Sequence, residues 1–269
     1  MKRFDLSSFA DELLTGEDII FDLDGTLLEG DIGETLFYHT LLMHPFCDPH
    51  DEKWFQPIQA HEADNLIHVS DQNAELLDDY RAHLARGEFE KAYTSTARWL
   101  EQFERADVER LVQAVLRQPT DLVSISCALE TNKRHRQISI RYGAHVKMGM
   151  QTMVRSFQEQ GATVWIVSAS PQAICEIAGE RIGIPPERVL GVKIATEETE
   201  CPRLPWGAMK VRVLQTAGVL RPLMAFGDGE GDIEMLGIAQ YPVVIENGSI
   251  KLLQLARKND WWIYPEREN

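Results

Sequence analysis

The stretch Asp18-Ile-Ile-Phe-Asp22-Leu-Asp24-Gly25-Thr26 constrains this chain more than any other, because a short apolar run stops abruptly in two acids and a glycine. Such a run reads as a strand buried on both faces and feeding a loop. A second run, Ala162-Thr-Val-Trp-Ile-Val-Ser168, follows an amphipathic stretch from Met148 to Gln160 that closes at Gly161. Glycine just past the last periodic residue is a common helix stop, so a helix leads into a strand. The pattern repeats: Pro171 to Ile182 reads as a helix ending at Gly183, Arg188 to Val192 as extended, and Lys210 to Ala217 as a helix ending at Gly218. Two last apolar runs, Leu223 to Phe226 and Pro242 to Ile245, each precede a polar or glycine-containing loop. This alternation predicts an α/β fold, a doubly wound, Rossmann-like parallel sheet with helices on both faces.

Between about Gly30 and His145 the texture changes. Leu76, Leu77, Tyr80 and Leu84, then Phe89, Tyr93, Ala97 and Leu100, recur at steps of three and four, and residues 107–117 make a third helical stretch. The expected organisation is a core of residues 1–30 and 145–269 with a helical cap, residues 31–144, inserted after the first strand. With 269 residues, 44% of them hydrophobic, both parts can bury a core. The formal charge of −15 repels phosphate backbones and anionic lipid, which argues against nucleic-acid or membrane-surface partners. An anionic substrate would need local cations or a metal. Cys47, Cys127, Cys175 and Cys201 form no ligand spacing and read as reduced thiols. Acids at Asp5, Asp11 and Glu12 interrupt any apolar leader, and no 18-residue apolar span occurs, so a cytoplasmic location is expected.

In an open parallel sheet, ligands bind beyond the carboxyl ends of the strands. Here those ends carry Asp22 and Asp24, Ser168-Ala169-Ser170, and Gly227-Asp228-Gly-Glu-Gly-Asp232, with Lys210 at the start of the helix before the last of them. Paired acids two apart can divide labour, one attacking as nucleophile and the other serving as general acid and then base. Carboxylates such as Asp22 and Asp228 are also hard oxygen ligands suited to Mg²⁺. A serine hydroxyl and an ammonium would steady the equatorial oxygens of a transferring phosphoryl group. No EF-hand glycine stands at loop position six after Asp22 or Asp228, and the later glycines do not spell GxGxxG after a first strand. The spacings of His39, His44, His50, His61 and His68 fit no metal motif, so they read as structural.

The order hhhhDxDGT, hhhS, Lys, GDGxxD resembles the haloacid dehalogenase superfamily of phosphatases, and especially its phosphoserine-phosphatase-like branch. The resemblance implies a Mg²⁺-dependent phosphomonoester hydrolase acting on a small phosphorylated metabolite through an aspartyl-phosphate. It makes Asp22 the nucleophile, Asp24 the acid/base, Ser168 the phosphate donor and Lys210 the charge stabiliser. Asp228 becomes a metal ligand, the Asp24 backbone carbonyl another, and Asp232 a second acid supporting the metal site or orienting Lys210. Ala169 stands where the branch carries glycine, and keeps the backbone amide that approaches phosphate. Nine residues after the nucleophile, where the branch has a substrate-reading glutamate, stands Asp31, followed by Glu34. Acids there also resemble those of phosphoethanolamine and phosphocholine phosphatases. An amine-bearing phosphoester is therefore expected alongside phosphoserine, with Phe37, Tyr38, Trp99 or Trp206 as aromatic partners and Arg98 as a reader of carboxylate. A phosphotransferase using the same aspartate, or a non-catalytic metabolite-binding regulator, are the alternatives; a metal-free dehalogenase is disfavoured by Asp228 and Asp232. Trp261 and Trp262 are expected to pack a last element on the core.

Overall fold

The computed structural model describes residues 2–9, 14–43, 67–129, 135–194, 204–246 and 248–265. Its strands are β1 (Lys2–Arg3), β2 (Asp18–Phe21), β3 (Leu28–Glu29), β4 (Ile67–Val69), β5 (Asp121–Leu129), β6 (His135–Tyr142), β7 (His145–Val146), β8 (Thr163–Pro171), β9 (Val189–Val192), β10 (Met224–Gly227), β11 (Tyr241–Ile245) and β12 (Trp262–Tyr264). Its α-helices are α1 (Ile32–Met43), α2 (Asp71–Ala85), α3 (Phe89–Leu100), α4 (Arg105–Val115), α5 (Met148–Glu159), α6 (Gln172–Ile182), α7 (Ala208–Thr216), α8 (Ile233–Ile238) and α9 (Ile250–Lys258). They divide between two compact units, one of Met1–Glu29 with Val146–Asn269 and one of Gly30–His145.

The first unit is built on a seven-stranded sheet in the order β1-β12-β11-β10-β2-β8-β9, every neighbouring pair parallel. Ile19, Ile20 and Phe21 are fully buried, as a continuous apolar run in a central strand requires. Register sets Phe21 opposite Phe226 and Ile166, so these three share one face of the pleat. The rings of Phe21 and Phe226 stack at 4.3 Å, and Phe157 of α5 tilts onto both. Ile20, Val167 and Ala225 point the other way, into a cluster with Leu214 of α7, Leu236 of α8 and Leu252 of α9. Helices thus cover both faces, as the alternation predicts. Trp261 is packed against that cluster and Trp262 lies within β12. From β2 the chain winds outward through β8 to β9, then returns to the opposite side of β2 with β10, β11 and β12. That reversal makes the carboxyl ends of β2 and β10 the switch point at which such sheets bind ligands.

The second unit carries the expected helices, and also a three-stranded sheet that a helical reading of residues 31–144 does not include. Its order is β4-β5-β6, with β4 and β5 parallel and β5 and β6 antiparallel. Val123 and Ile125 of β5 and Ile138, Ile140 and Tyr142 of β6 are buried, whereas Leu122, Ser124, Gln137, Ser139 and Arg141 between them are exposed. That is a period of two, which a search for three-and-four spacing passes over. The inward side chains join Phe37, Leu41, Leu77 and Tyr80 in the unit's own core. His39 lies in it too, its Nδ1 2.7 Å from the Tyr142 hydroxyl, in keeping with a structural role. His44, His50, His61, Cys47 and Cys201 fall outside the described residues, and Cys175 is a buried free thiol. Among the described residues no helix is long and apolar enough to cross a membrane.

Removing the Phe226 ring, fully buried at the centre of this stack, leaves a cavity that the sheet and α5 cannot both close. Phe226→Ala is expected to lose about 3–5 kcal/mol in denaturant unfolding, and Leu122→Ala, at an exposed site, within about 0.5 kcal/mol.

Candidate active site

Three adjacent strands and one helix bring the acids, the hydroxyls and the ammonium together within the first unit. Asp22 follows directly on β2, its amide donating to the Phe226 carbonyl at 2.9 Å. The chain then turns through Gly25 at φ 79°, where a Cβ would collide with the Asp228 carboxylate. Only glycine gives both the left-handed turn and the room for that acid. Gly227 similarly leaves space for the Asp232 carboxylate, which a Cβ would overlap.

Lys210, on the first turn of α7, is 2% exposed and makes three hydrogen bonds. Its Nζ donates to Asp22 Oδ1 at 2.5 Å, Asp232 Oδ1 at 2.7 Å and the Val167 carbonyl at 2.8 Å. Those three acceptors use the full donor capacity of an ammonium. Asp232 Oδ2 accepts the amides of Asp228 and Gly229 at 3.1 and 2.9 Å. Both oxygens of Asp232 are therefore engaged, one orienting Lys210 and the other shaping the loop that carries Asp228. Asp24 Oδ2 accepts Ser170 Oγ at 2.7 Å and Ser168 Oγ at 3.2 Å.

Burial disfavours the Lys210 charge, but Asp22 and Asp232 outweigh it and hold the ammonium protonated above its ordinary range. For Asp228, burial first and Asp232 next push the carboxyl from 3.8 up to about 7. Lys210 and, less strongly, Lys147 oppose this; the Lys147 Nζ donates to the Gly25 carbonyl at 2.8 Å. Burial likewise pushes the Asp22 carboxyl well above the usual carboxylate range, against the pull of Lys210. With all four acids ionised, Asp22, Asp24, Asp228 and Asp232 would face two ammonium groups with an excess of two negative charges. Ligand oxygens of Asp22, Asp228 and Asp232 lie within 4.8 Å of one another. Hard oxygen donors and that charge excess fit a divalent cation such as Mg²⁺. With Asp232 already bonded at both oxygens, Asp22 and Asp228 are the carboxylates that could hold it.

The substrate-reading candidates lie mostly in the second unit. Asp31 caps α1, its Oδ1 accepting the Glu34 amide at 2.7 Å. Glu34 Oε1 accepts the hydroxyls of Tyr38 at 2.8 Å and Tyr80 at 3.3 Å. Burial, then Glu34, pushes both tyrosine hydroxyls well above their ordinary range, so both remain donors. Phe37 is fully buried in the core, and Trp99 Nε1 is tied to Thr40 Oγ1 at 2.8 Å. Arg98 is exposed on α3, and the Arg81 guanidinium sits 5.7 Å from the Tyr38 ring. In the first unit, Ala169 is half-buried beside Ser168, and Trp206 packs on Gly231, where a Cβ would meet its indole nitrogen.

Ser170, Lys147, Tyr80 and Arg81 also border these side chains, and none of them belongs to a site motif in the sequence. Period two along β8 signals Ser170, which repeats Ser168 on the same side of the strand. Lys147 carries no such signal, since its place beside Gly25 depends on where the chain returns from the second unit.

A parallel sheet with this acid and lysine cluster at its switch point defines a doubly wound, Rossmann-like core with its candidate site where such sheets bind ligands. The family model of haloacid dehalogenase-like hydrolases matches residues 19–237, and a second model of the same description matches residues 217–259. The chain therefore belongs to the haloacid dehalogenase-like hydrolases. No curated protein sequence matches significantly. Among solved structures, a protein of unknown function from Bordetella pertussis Tohama I aligns over 93% of this chain and 99% of its own, with TM-score 0.63 and 16% identity. A conserved, functionally unknown protein from Anaerococcus prevotii aligns over 94% and 91%, with TM-score 0.60 and 15% identity. A phosphoserine phosphohydrolase-like protein from Francisella tularensis aligns over 94% and 95%, with TM-score 0.51 and 14% identity. These likenesses establish a shared fold.

Because the folded Asp228 carboxyl titrates near 7 and the unfolded one near 3.8, the metal-free folded chain holds the extra proton between those values. Stability of the metal-free protein should therefore fall as pH rises through that window. In EDTA at pH 8, Asp228→Asn is expected to raise Tm by a few degrees, and at pH 4 to change it little, as scanning calorimetry would record.

Proposed function

We propose that the chain is a Mg²⁺-dependent phosphomonoester hydrolase that works through an aspartyl-phosphate on Asp22. One observation carries this reading: Lys210 holds the Asp22 carboxylate while Asp24, two residues on, is held separately by serine hydroxyls. The two acids are thus placed for different tasks.

An Asp22 oxygen attacks phosphorus in line, the bond to the leaving oxygen breaks, and Asp24 gives that oxygen its proton. A water then attacks the aspartyl-phosphate, loses its proton to Asp24, and releases phosphate with the Asp22 carboxylate restored. Lys210 neutralises charge that builds on the transferring group, and Asp232 keeps Lys210 aimed at Asp22. Ser168 turns its hydroxyl to a phosphate oxygen, and the Ala169 amide supports it. Asp22, Asp228 and the Asp24 carbonyl would hold Mg²⁺, which when bound supplies charge neutralisation to the phosphoryl oxygens.

For the organic part of the substrate we propose an amine-bearing phosphoester, phosphoserine, phosphoethanolamine or phosphocholine. Supporting it is the carboxylate of Glu34 set between two tyrosines, a combination suited to an organic ammonium. Asp31 would add a second acid to that reading.

Phosphate release should be measured from p-nitrophenyl phosphate, the three amine-bearing esters and sugar phosphates, with Mg²⁺ or EDTA. Mg²⁺-dependent release is expected, falling at least about 10³-fold in Asp22→Asn. Glu34→Gln should raise KM for the amine-bearing esters and leave p-nitrophenyl phosphate little affected. Release that persists in Asp22→Asn contradicts the aspartyl-phosphate, and transfer to an added alcohol in place of water would identify a phosphotransferase.

A further inference from the structure

Ser170 is buried, lies outside every motif that defines the family resemblance, and makes the shortest hydrogen bond described to Asp24. Its Oγ donates to Asp24 Oδ2 at 2.7 Å, against 3.2 Å for Ser168 Oγ on the same oxygen. The Ser170 amide in turn donates to Ser168 Oγ at 3.0 Å. Strand β8 changes register against β9 between Val167 and Pro171, so the irregularity spans both serines. Such bulges re-aim side chains at the ends of strands. The backbone of Ser170 is fixed from behind, its carbonyl accepting the Cys175 thiol at 3.3 Å and sitting where a Cβ on Gly191 would strike it.

We propose that Ser170 is a positioning residue for Asp24, holding Oδ2 as an acceptor so that the proton passed to the leaving oxygen is carried on Oδ1. This inference rests on the phosphatase reading above. It follows from chemical inventory: a hydroxyl donating to a carboxyl oxygen favours that oxygen as the unprotonated one, and two hydroxyls do so here. It also resolves a conflict in the demands on Ser168, which bonds Asp24 yet is wanted by phosphate. When Ser168 turns to the phosphate, Ser170 remains to keep Asp24 from swinging. The second serine lets the first change partners.

The test separates acid catalysis from mere stability by leaving group. p-Nitrophenolate departs without a proton, whereas an alkoxide needs one. For Ser170→Ala, kcat/KM on phosphoethanolamine or β-glycerophosphate is expected to fall about 10- to 100-fold, and the fall on p-nitrophenyl phosphate to be at least tenfold smaller. Ser170→Thr, which keeps the hydroxyl, should recover most of the loss on the alkyl esters. In an Asp24→Asn background, Ser170→Ala should add less than about twofold, because the hydroxyl acts through the carboxylate. If Ser170→Ala does not fold, Ser170→Cys, near in volume with a weaker donor, takes its place in the same comparison. Equal losses on aryl and alkyl substrates, or a full additional loss in the Asn background, overturn the proposal in favour of a structural serine. A wild-type protein that hydrolyses neither class of ester overturns the phosphatase reading itself, and this role with it; that failure shows in the wild type alone.

Discussion

The ammonium of Lys210, buried and bonded to Asp22, Asp232 and the Val167 carbonyl, ties together the parts of the first unit on which the site depends. Through those three bonds α7 is fastened to the ends of β2 and β8 and to the loop after β10. A buried charge is tolerated only when its partners are in place, and stranding one typically costs about 3–5 kcal/mol. Four acids in one crevice would repel one another without it. The same bonds distinguish the acids: Asp232 holds Lys210 and the loop amides, Asp22 is tied to Lys210, and Asp24 Oδ2 accepts two serine hydroxyls.

Backbone geometry makes this crowding possible. Gly25 and Gly227 put no side chain where the Asp228 and Asp232 carboxylates lie, so two loops close on each other. The winding of the sheet, outward from β2 and then back to its other side, places those loops at adjacent strand ends. Strand order and two missing methyl groups therefore set the charge density, and a cluster of that density could hold a divalent cation.

Much of this could be read from residues alone. Fully buried strands announce themselves as unbroken apolar runs, and Asp22, Asp24, Ser168, Lys210, Asp228 and Asp232 stand at run or helix ends, where chemistry in a parallel sheet is expected. The second unit was less legible for definite reasons. The β5 and β6 pair alternates polar and apolar residues between helices of a different period, and its pairing joins residues that no local pattern connects. Tyr80 and Arg81, neighbours on α2, meet Glu34 and Tyr38 only through packing of α2 on α1, which no local pattern announces. Ser170 was visible as a residue and invisible as a partner, since its bond to Asp24 spans 146 positions.

The central claim is that Asp22 carries the phosphoryl group, and the most direct measurement is acid-quenched reaction with a phosphomonoester followed by peptide mass spectrometry. Asp24→Asn should lengthen the life of the intermediate by removing the base that activates water. A phosphoryl adduct is expected on the peptide containing Asp22, formed only with Mg²⁺ and absent in Asp22→Asn. Turnover with no adduct on that peptide, or an adduct on another residue, would contradict it.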